Sequence, residues 1–218
     1  MSGPTEPPRA LVLLAKEPVP GRVKTRLHSA FSPDEAALLA RACLRDTLDA
    51  MAAAPVAHRV VALDGVAGPW LPPGVDVVPQ PPGGLAVRLA AAFRATFRRA
   101  DHTPALLVGM DTPQLGAHLS DVDFAGADAV LGLTDDGGYW AIGLRSPDDR
   151  VFEDIPMSTD HTGAAQLARL RDLGLRVTLL PRLRDVDEPA DARAVARAAP
   201  GTRFAAEWRR LSRVRTRA

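Results

Sequence analysis

The hydrophobic positions fall into two alternating patterns. Mainly apolar runs at residues 10–15, 58–63, 105–108 and 129–133, with others at 75–78, 141–144 and 175–180, have the length and flanking turn residues of strands. Runs that are apolar at every position suit a parallel sheet covered on both faces. Between them the period changes to three and four. Ser32-Pro33-Asp34-Glu35 supplies a cap, a first-turn proline and a capping-box glutamate, and Ala37, Ala40, Leu44, Leu48 and Met51 then predict a helix to about residue 53. Gly83 and Gly84 release a second helix on Leu85, Leu89, Phe93 and Phe97, with Arg88, Arg94, Arg98 and Arg99 expected on its solvated face. A third carries Leu167, Leu170 and Leu173 and stops at Gly174, and a fourth starts near residue 190.

Strands alternating with helices predict a three-layer α/β fold with a mostly parallel central sheet. The 218 residues suit a single domain over 10–208, preceded by a disordered Pro-rich tail at 1–9 and followed by a solvated basic tail at 209–218. No internal repeat is present.

Composition narrows the function by exclusion. A net charge of +1 gives no global field to draw in nucleic acid or an anionic membrane, so neither is an expected partner. The single Cys43 excludes an internal disulfide and a cysteine zinc site, and it falls in a helical apolar pattern that suits a small buried thiol. The N-terminus lacks a signal-like apolar run and no stretch is long enough to span a bilayer, so a cytoplasmic location is expected.

Any basic site must therefore be local, and one stretch stands out. Residues 16–27, KEPVPGRVKTRL, follow the first strand as a loop bent by proline and Gly21. Lys16 and Lys24 are the only lysines among 27 basic side chains. Two compact ammonium groups in a chain that otherwise uses arginine point, with Arg22, Thr25 and Arg26, to a cradle for phosphate oxygens. Two further strands end in acidic loops, Gly109-Met110-Asp111-Thr112-Pro113 and Asp185-Val186-Asp187-Glu188-Pro189, and carboxylates there suit Mg²⁺ or Mn²⁺. Asp111 before Thr-Pro also suits a plain turn, and the acidic pair also suits a charge at a helix N-terminus. Asp135-Asp136-Gly137-Gly138-Tyr139-Trp140 reads either as a tight turn that lets backbone approach a ligand or as a hairpin with packed aromatics. Ser158 and Thr159 fall in a loop before a helix. Of the five scattered histidines His161, near the Ser-Thr loop, is the one worth a test.

Taken in order, KEPVPGRVKTRL, GMDTPQL, DDGGYWAIGL, the Pro-Met-Ser-Thr loop and DVDEPAD resemble a bacterial family of small transferases with the nucleotide-diphospho-sugar transferase (GT-A) fold. That family is similar to the nucleotidyltransferases of molybdenum-cofactor and phospholactate biosynthesis. The resemblance spans residues 10 to 195 and implies a Rossmann-like sheet with a nucleotide over its carboxyl edge. It implies that Lys16, Gly21, Arg22, Lys24, Thr25 and Arg26 face phosphates, that Asp111 and Asp187 hold the metal with Asp185 as second choice, and that Lys24 and Asp111 carry the chemistry. Asp136, Gly137, Gly138, Tyr139, Ser158 and Thr159 fall on the acceptor side. Met110, Met157 and Ala192 depart from the usual pattern.

Two reactions fit these residues. In nucleotidyl transfer, a small phosphorylated or phosphonate acceptor attacks a nucleoside triphosphate and pyrophosphate leaves, with no protein nucleophile required. In glycosyl transfer, the donor is a nucleotide sugar and Asp135 or Asp136 serves as base. The lone Asp111, where glycosyltransferases of this fold usually carry Asp-x-Asp, favours the first. A nucleotide-binding protein without turnover is the remote third reading.

Overall fold

The computed structural model describes residues 6–100 and 103–216. Seven strands form one sheet: β1 Ala10–Lys16, β2 His58–Asp64, β3 Asp76–Pro79, β4 Ala105–Gly109, β5 Ala129–Leu133, β6 Tyr139–Leu144 and β7 Val177–Leu179, in the order β3-β2-β1-β4-β6-β5-β7. β6 alone among these runs antiparallel, pairing β4 and β5, and a bulge at Gly132 and Leu133 marks its hairpin with β5. The hairpin reading of residues 133–139 is thus the observed local structure.

The described residues form five α-helices, α1 Pro33–Ala53, α2 Leu85–Arg99, α3 Thr162–Asp172, α4 Pro189–Ala198 and α5 Arg203–Thr216, of which α4 and α5 pack beyond α1. The capping box at the start of α1 is formed, with the Ser32 hydroxyl accepting from the Glu35 amide at 3.2 Å and the Glu35 carboxylate accepting from the Ser32 amide at 2.8 Å. The α1 stripe of Ala37, Ala40, Leu44, Leu48 and Met51 packs on one face of the sheet against Leu11, Leu13 and Leu106. On the opposite face, Phe93 and Phe97 of α2 pack with Val12, Leu107 and Ile142. Both sides of β1 and β4 are therefore sealed, which is why their sequences show no polar alternation.

A third cluster bears directly on the site. Leu27 and Phe31 from the basic loop, Leu39 and Cys43 from the far side of α1, Val186, and Phe204 and Leu211 from α5 bury one another. Two expectations are corrected here. Residues 209–216 are the second half of α5 and not a solvated tail, because Phe204, Trp208 and Leu211 recur at helical spacing and Leu211 is buried; residues 217–218 lie outside the described ones. At the other end, Glu6 to Pro8 are held in place: the Glu6 amide donates to Asp123 at 2.7 Å and its carboxylate pairs with Arg145 at 2.6 Å. Residues 1–5 lie outside the described ones. Among the described residues no helix is long and apolar enough to cross a membrane.

Candidate active site

β1 and β4 are adjacent parallel strands, but the chain leaves β1 towards β2 and β3 on one side and enters β6, β5 and β7 on the other. Their carboxyl ends therefore diverge into loops of opposite direction and leave a crevice at the switch point, where open α/β sheets bind ligands. The crevice is a cavity of about 820 Å³. Lys16, Lys24 and Arg26 reach it from the β1 loop, Asp111 and Thr112 from the β4 loop, and Asp185 and Asp187 from the segment before α4.

The physical chemistry of this convergence starts at Lys24. Val23 and Leu27 are buried on either side of it and hold the loop, and Lys24 itself takes a left-handed backbone with φ 50°. For a residue with a side chain that conformation costs roughly 1 kcal/mol or more, offset here by the anchored neighbours. Its side chain is 5% exposed, with the ammonium 2.6 Å from Asp111 Oδ1 and also donating to the carbonyl of Val186. Burial is the largest single influence and draws the Lys24 pKa down, but the charge and hydrogen bond of Asp111, with Cys43 and Asp185 adding, together outweigh it and the net shift is upward.

The acidic segment is laced to the β4 loop by backbone and side chain alike. The Val186 amide donates to the Asp111 carbonyl at 2.9 Å, Thr112 Oγ1 donates to Asp185 at 2.6 Å, and the Gln114 amide nitrogen donates to the Arg184 carbonyl at 2.7 Å. Val186 is buried, which turns Asp185 and Asp187 outwards on either side of it. Desolvation, with Asp111 and Asp136 adding like charge, pushes Asp185 up to about 7 against the Thr112 hydroxyl and Lys24. Asp187 pairs with Arg26 at the more exposed rim.

The far wall is a lock between two loops. Gly137 has φ 90°, and a Cβ there would lie 1.9 Å from the Asp160 carbonyl oxygen; at Gly163 it would lie 2.5 Å from that of Gly138. The Gly163 amide donates to the Gly137 carbonyl at 2.7 Å, so both positions need glycine for the loops to touch. Asp136, Gly138, Tyr139, Ser158 and Thr159 then line the cavity. Tyr139 reaches inward, its hydroxyl 3.4 Å from Gln166 Oε1, and burial pushes its pKa far up.

Not every expected residue arrives. Gly21, Arg22 and Thr25 do not line the cavity: Gly21 supplies a positive φ, while Arg22 and Thr25 are exposed on the loop's outer side. Gly137 is a packing residue of the wall. Asp135 turns away to pair with Arg184 at 3.0 Å, which leaves Asp136 as the carboxylate of that turn facing the site. His161 is exposed beside Asp160. Arg88 corrects the solvated-face expectation for α2. It bends into the cavity, donating to Asp64 at 2.7 Å, to Gln80 at 3.1 Å and to the Gly83 carbonyl at 3.1 Å, whereas Arg94, Arg98 and Arg99 are exposed. Gln80 is fixed in turn by donating to the Ala15 and Ala62 carbonyls, both at 2.8 Å. The signal for Arg88 was its place beside Leu89 in the first turn of the helix, close to the strand ends.

The balance of charge also differs from a simple basic cradle. Six aspartates and four basic side chains among the described residues line the cavity. Among the described residues, no three His, Cys, Asp or Glu side chains are grouped to hold a cation unaided. The donor set fits a hard cation such as Mg²⁺ that takes one or two carboxylates and completes its shell with phosphate oxygens and water, and Asp111 and Asp187 are among the carboxylates that line the cavity.

Comparison with known proteins adds four findings. The model of the family DUF2064, described as an uncharacterized protein conserved in bacteria, matches residues 47–159. Over 193 residues the chain is 32% identical to the 2-phospho-L-lactate guanylyltransferase of Halomicrobium mukohataei, covering 86% of this chain and 85% of that one. The fold superposes with a TM-score of 0.82 and 26% identity on a crystal structure from Desulfovibrio desulfuricans G20 assigned as a nucleotide-diphospho-sugar transferase, covering 93% of this chain and 94% of that one. A CMP:2-keto-3-deoxy-manno-octonic acid synthetase in complex with CTP shares the fold at a TM-score of 0.52 and 12% identity, over 88% of this chain and 99% of that one. The three-layer GT-A-type fold expected from the sequence is the fold observed.

Proposed function

The chain belongs to the DUF2064 family and is a transferase, and from that premise we propose that it catalyses metal-dependent nucleotidyl transfer from a nucleoside triphosphate to a small phosphorylated or phosphonate acceptor, in the cytoplasm. The observation that carries this reading is the meeting of Lys24 and Asp111, 2.6 Å apart at the switch point of the sheet, inside a cavity whose lining is acidic on balance. A triphosphate entering such a cavity needs both the ammonium groups and an added cation. The guanylyltransferase relative supports the same reading and puts GTP first among the nucleotides to try.

In this reading Lys16, Lys24 and Arg26 neutralise the phosphate chain, and Lys24 is held ready by its buried stem. Asp111 and Asp187 would hold Mg²⁺, which when bound supplies positive charge to the phosphate oxygens. The acceptor rests against Asp136, Gly138, Tyr139, Ser158 and Thr159. One oxygen of its phosphate attacks the α-phosphorus in line, the α–β phosphoanhydride bond breaks, and pyrophosphate leaves. The attacking oxygen is already anionic, so no side chain has to remove a proton. Positioning and charge neutralisation carry the rate.

A second reading, transfer from a nucleotide sugar, is favoured by the assignment of the Desulfovibrio structure, with Asp136 as the base. Incubation with each nucleoside triphosphate, Mg²⁺ and a panel of phosphorylated acceptors separates the two. The nucleotidyl reading expects pyrophosphate release that depends on acceptor and metal. Turnover of nucleotide sugars alone would transfer the assignment to the second reading.

A further inference from the structure

Lys24 offers three N–H donors, of which one is committed to Asp111 Oδ1 and one to the Val186 carbonyl. The ammonium lies behind its partner: the Lys24 side chain is 5% exposed and that of Asp111 46%. An anion entering the cavity therefore meets the carboxylate before the cation. At the rim a second pair, Arg26 with Asp187, is set the other way round, with the cation the more exposed partner. The groups expected to receive phosphate and the groups expected to receive a metal ion are thus each other's counter-ions while neither ligand is bound.

Resting on the proposed nucleotide reading, we infer that Asp111 masks Lys24 in the unliganded protein, and that binding proceeds by exchange, the ammonium passing to triphosphate oxygens as the carboxylate passes to a divalent cation. Metal alone leaves the Lys24 ammonium without its carboxylate on a stem that cannot withdraw into water, and triphosphate alone sets its oxygens beside the unneutralised Asp111 carboxylate; both are costly. Together they satisfy both charges. The two ligands must then bind with positive coupling, and by linkage each raises the affinity of the other equally.

The exchange has a consequence opposite to that of a simple metal ligand. Removing the Asp111 charge should improve triphosphate binding when no metal is present, because Lys24 is released. The test uses calorimetric titration of inorganic tripolyphosphate in excess EDTA, and of Mn²⁺ alone, into the wild type, Asp111→Asn, Lys24→Met and the double variant. Asp111→Asn is expected to bind metal-free tripolyphosphate about tenfold more tightly than wild type, the scale of one released charge-assisted contact. In the Lys24→Met background the same substitution should change affinity by less than about twofold, since the gain is routed through Lys24. Mn²⁺ alone should bind Lys24→Met more tightly than wild type.

Metal-free binding by Asp111→Asn that is no tighter than wild type, or an equal gain with and without Lys24, overturns the exchange. If Asp111→Asn does not fold, the Mn²⁺ titration of Lys24→Met decides alone, and unchanged Mn²⁺ affinity overturns it. Failure of the wild type to bind tripolyphosphate even with Mn²⁺ would defeat the nucleotide reading itself. Binding with Mn²⁺ but without the Asp111→Asn gain would leave that reading in place and remove only the exchange.

Discussion

Lys24 combines three properties that rarely coincide in one lysine: a left-handed backbone, a buried stem and an ion pair inside a cavity. An arginine is longer, and its planar fork cannot occupy the slot that presents one nitrogen to both Asp111 and the Val186 carbonyl. Lys24→Arg is accordingly expected to lower kcat/KM by about tenfold or more, about 1.4 kcal/mol in transition-state stabilisation, with the melting temperature little changed. Steady-state kinetics beside thermal unfolding checks this, and wild-type kinetics in the variant would remove the case for a compact ammonium. Cys43 illustrates the opposite kind of residue. It is buried behind the Lys24 pair and its thiol is pushed well above the usual range by burial, with Lys24 opposing, which agrees with the inert role expected from its helical context.

At the scale of elements, what could be read from the sequence was whatever local chemistry decides. The Ser32 capping box, the α1 stripe and the apolar strands are each set within a few residues, and all are present. Partner-dependent features were harder. The apolar face of α5 is interleaved with arginines and has meaning only because α1 and α4 cover it, so the stretch from residue 209, Leu211 included, was read as a tail. Leu211→Ala tests the correction: it should cost about 2 kcal/mol or more in urea unfolding, whereas a solvated tail would give no change. The site shows the same division. Lys16, Lys24, Asp111 and Asp187 were legible because lysines are scarce and strand ends are marked by turns. Arg88 was not, since only the tertiary meeting of α2 with Asp64 and Gln80 turns one arginine of four inward. Nor could the sequence say which of Asp135 and Asp136 faces the ligand, as neighbouring residues in a turn point apart.

On the whole molecule, the sheet order brings segments separated by about seventy to one hundred and sixty positions to a single crevice, as in the Lys24 contact with Val186 and the Thr112 contact with Asp185. Away from the crevice, Asp128 closes the β5–β7 edge by accepting from the Arg176 amide and guanidinium at 2.9–3.0 Å, and these bonds lower its pKa from 3.8 to about 2. A carboxylate depressed in the folded state stabilises the fold fully above its ordinary pKa, and that contribution is lost as pH falls from near 4 towards 2. Asp128→Asn should therefore be less stable than wild type at neutral pH, and the difference in melting temperature should shrink across that window. A constant difference from pH 7 to 2 would contradict the assignment.

The central claim is that the bond broken in the crevice joins the α- and β-phosphates of a nucleoside triphosphate. GTP labelled at the α-phosphorus, incubated with the protein, Mg²⁺ and a phosphorylated acceptor, measures this most directly. The account predicts that label appears in the acceptor product while unlabelled pyrophosphate is released, and that Asp111→Asn abolishes both. Label that stays with free guanine nucleotide while sugar nucleotides turn over under the same conditions would contradict it.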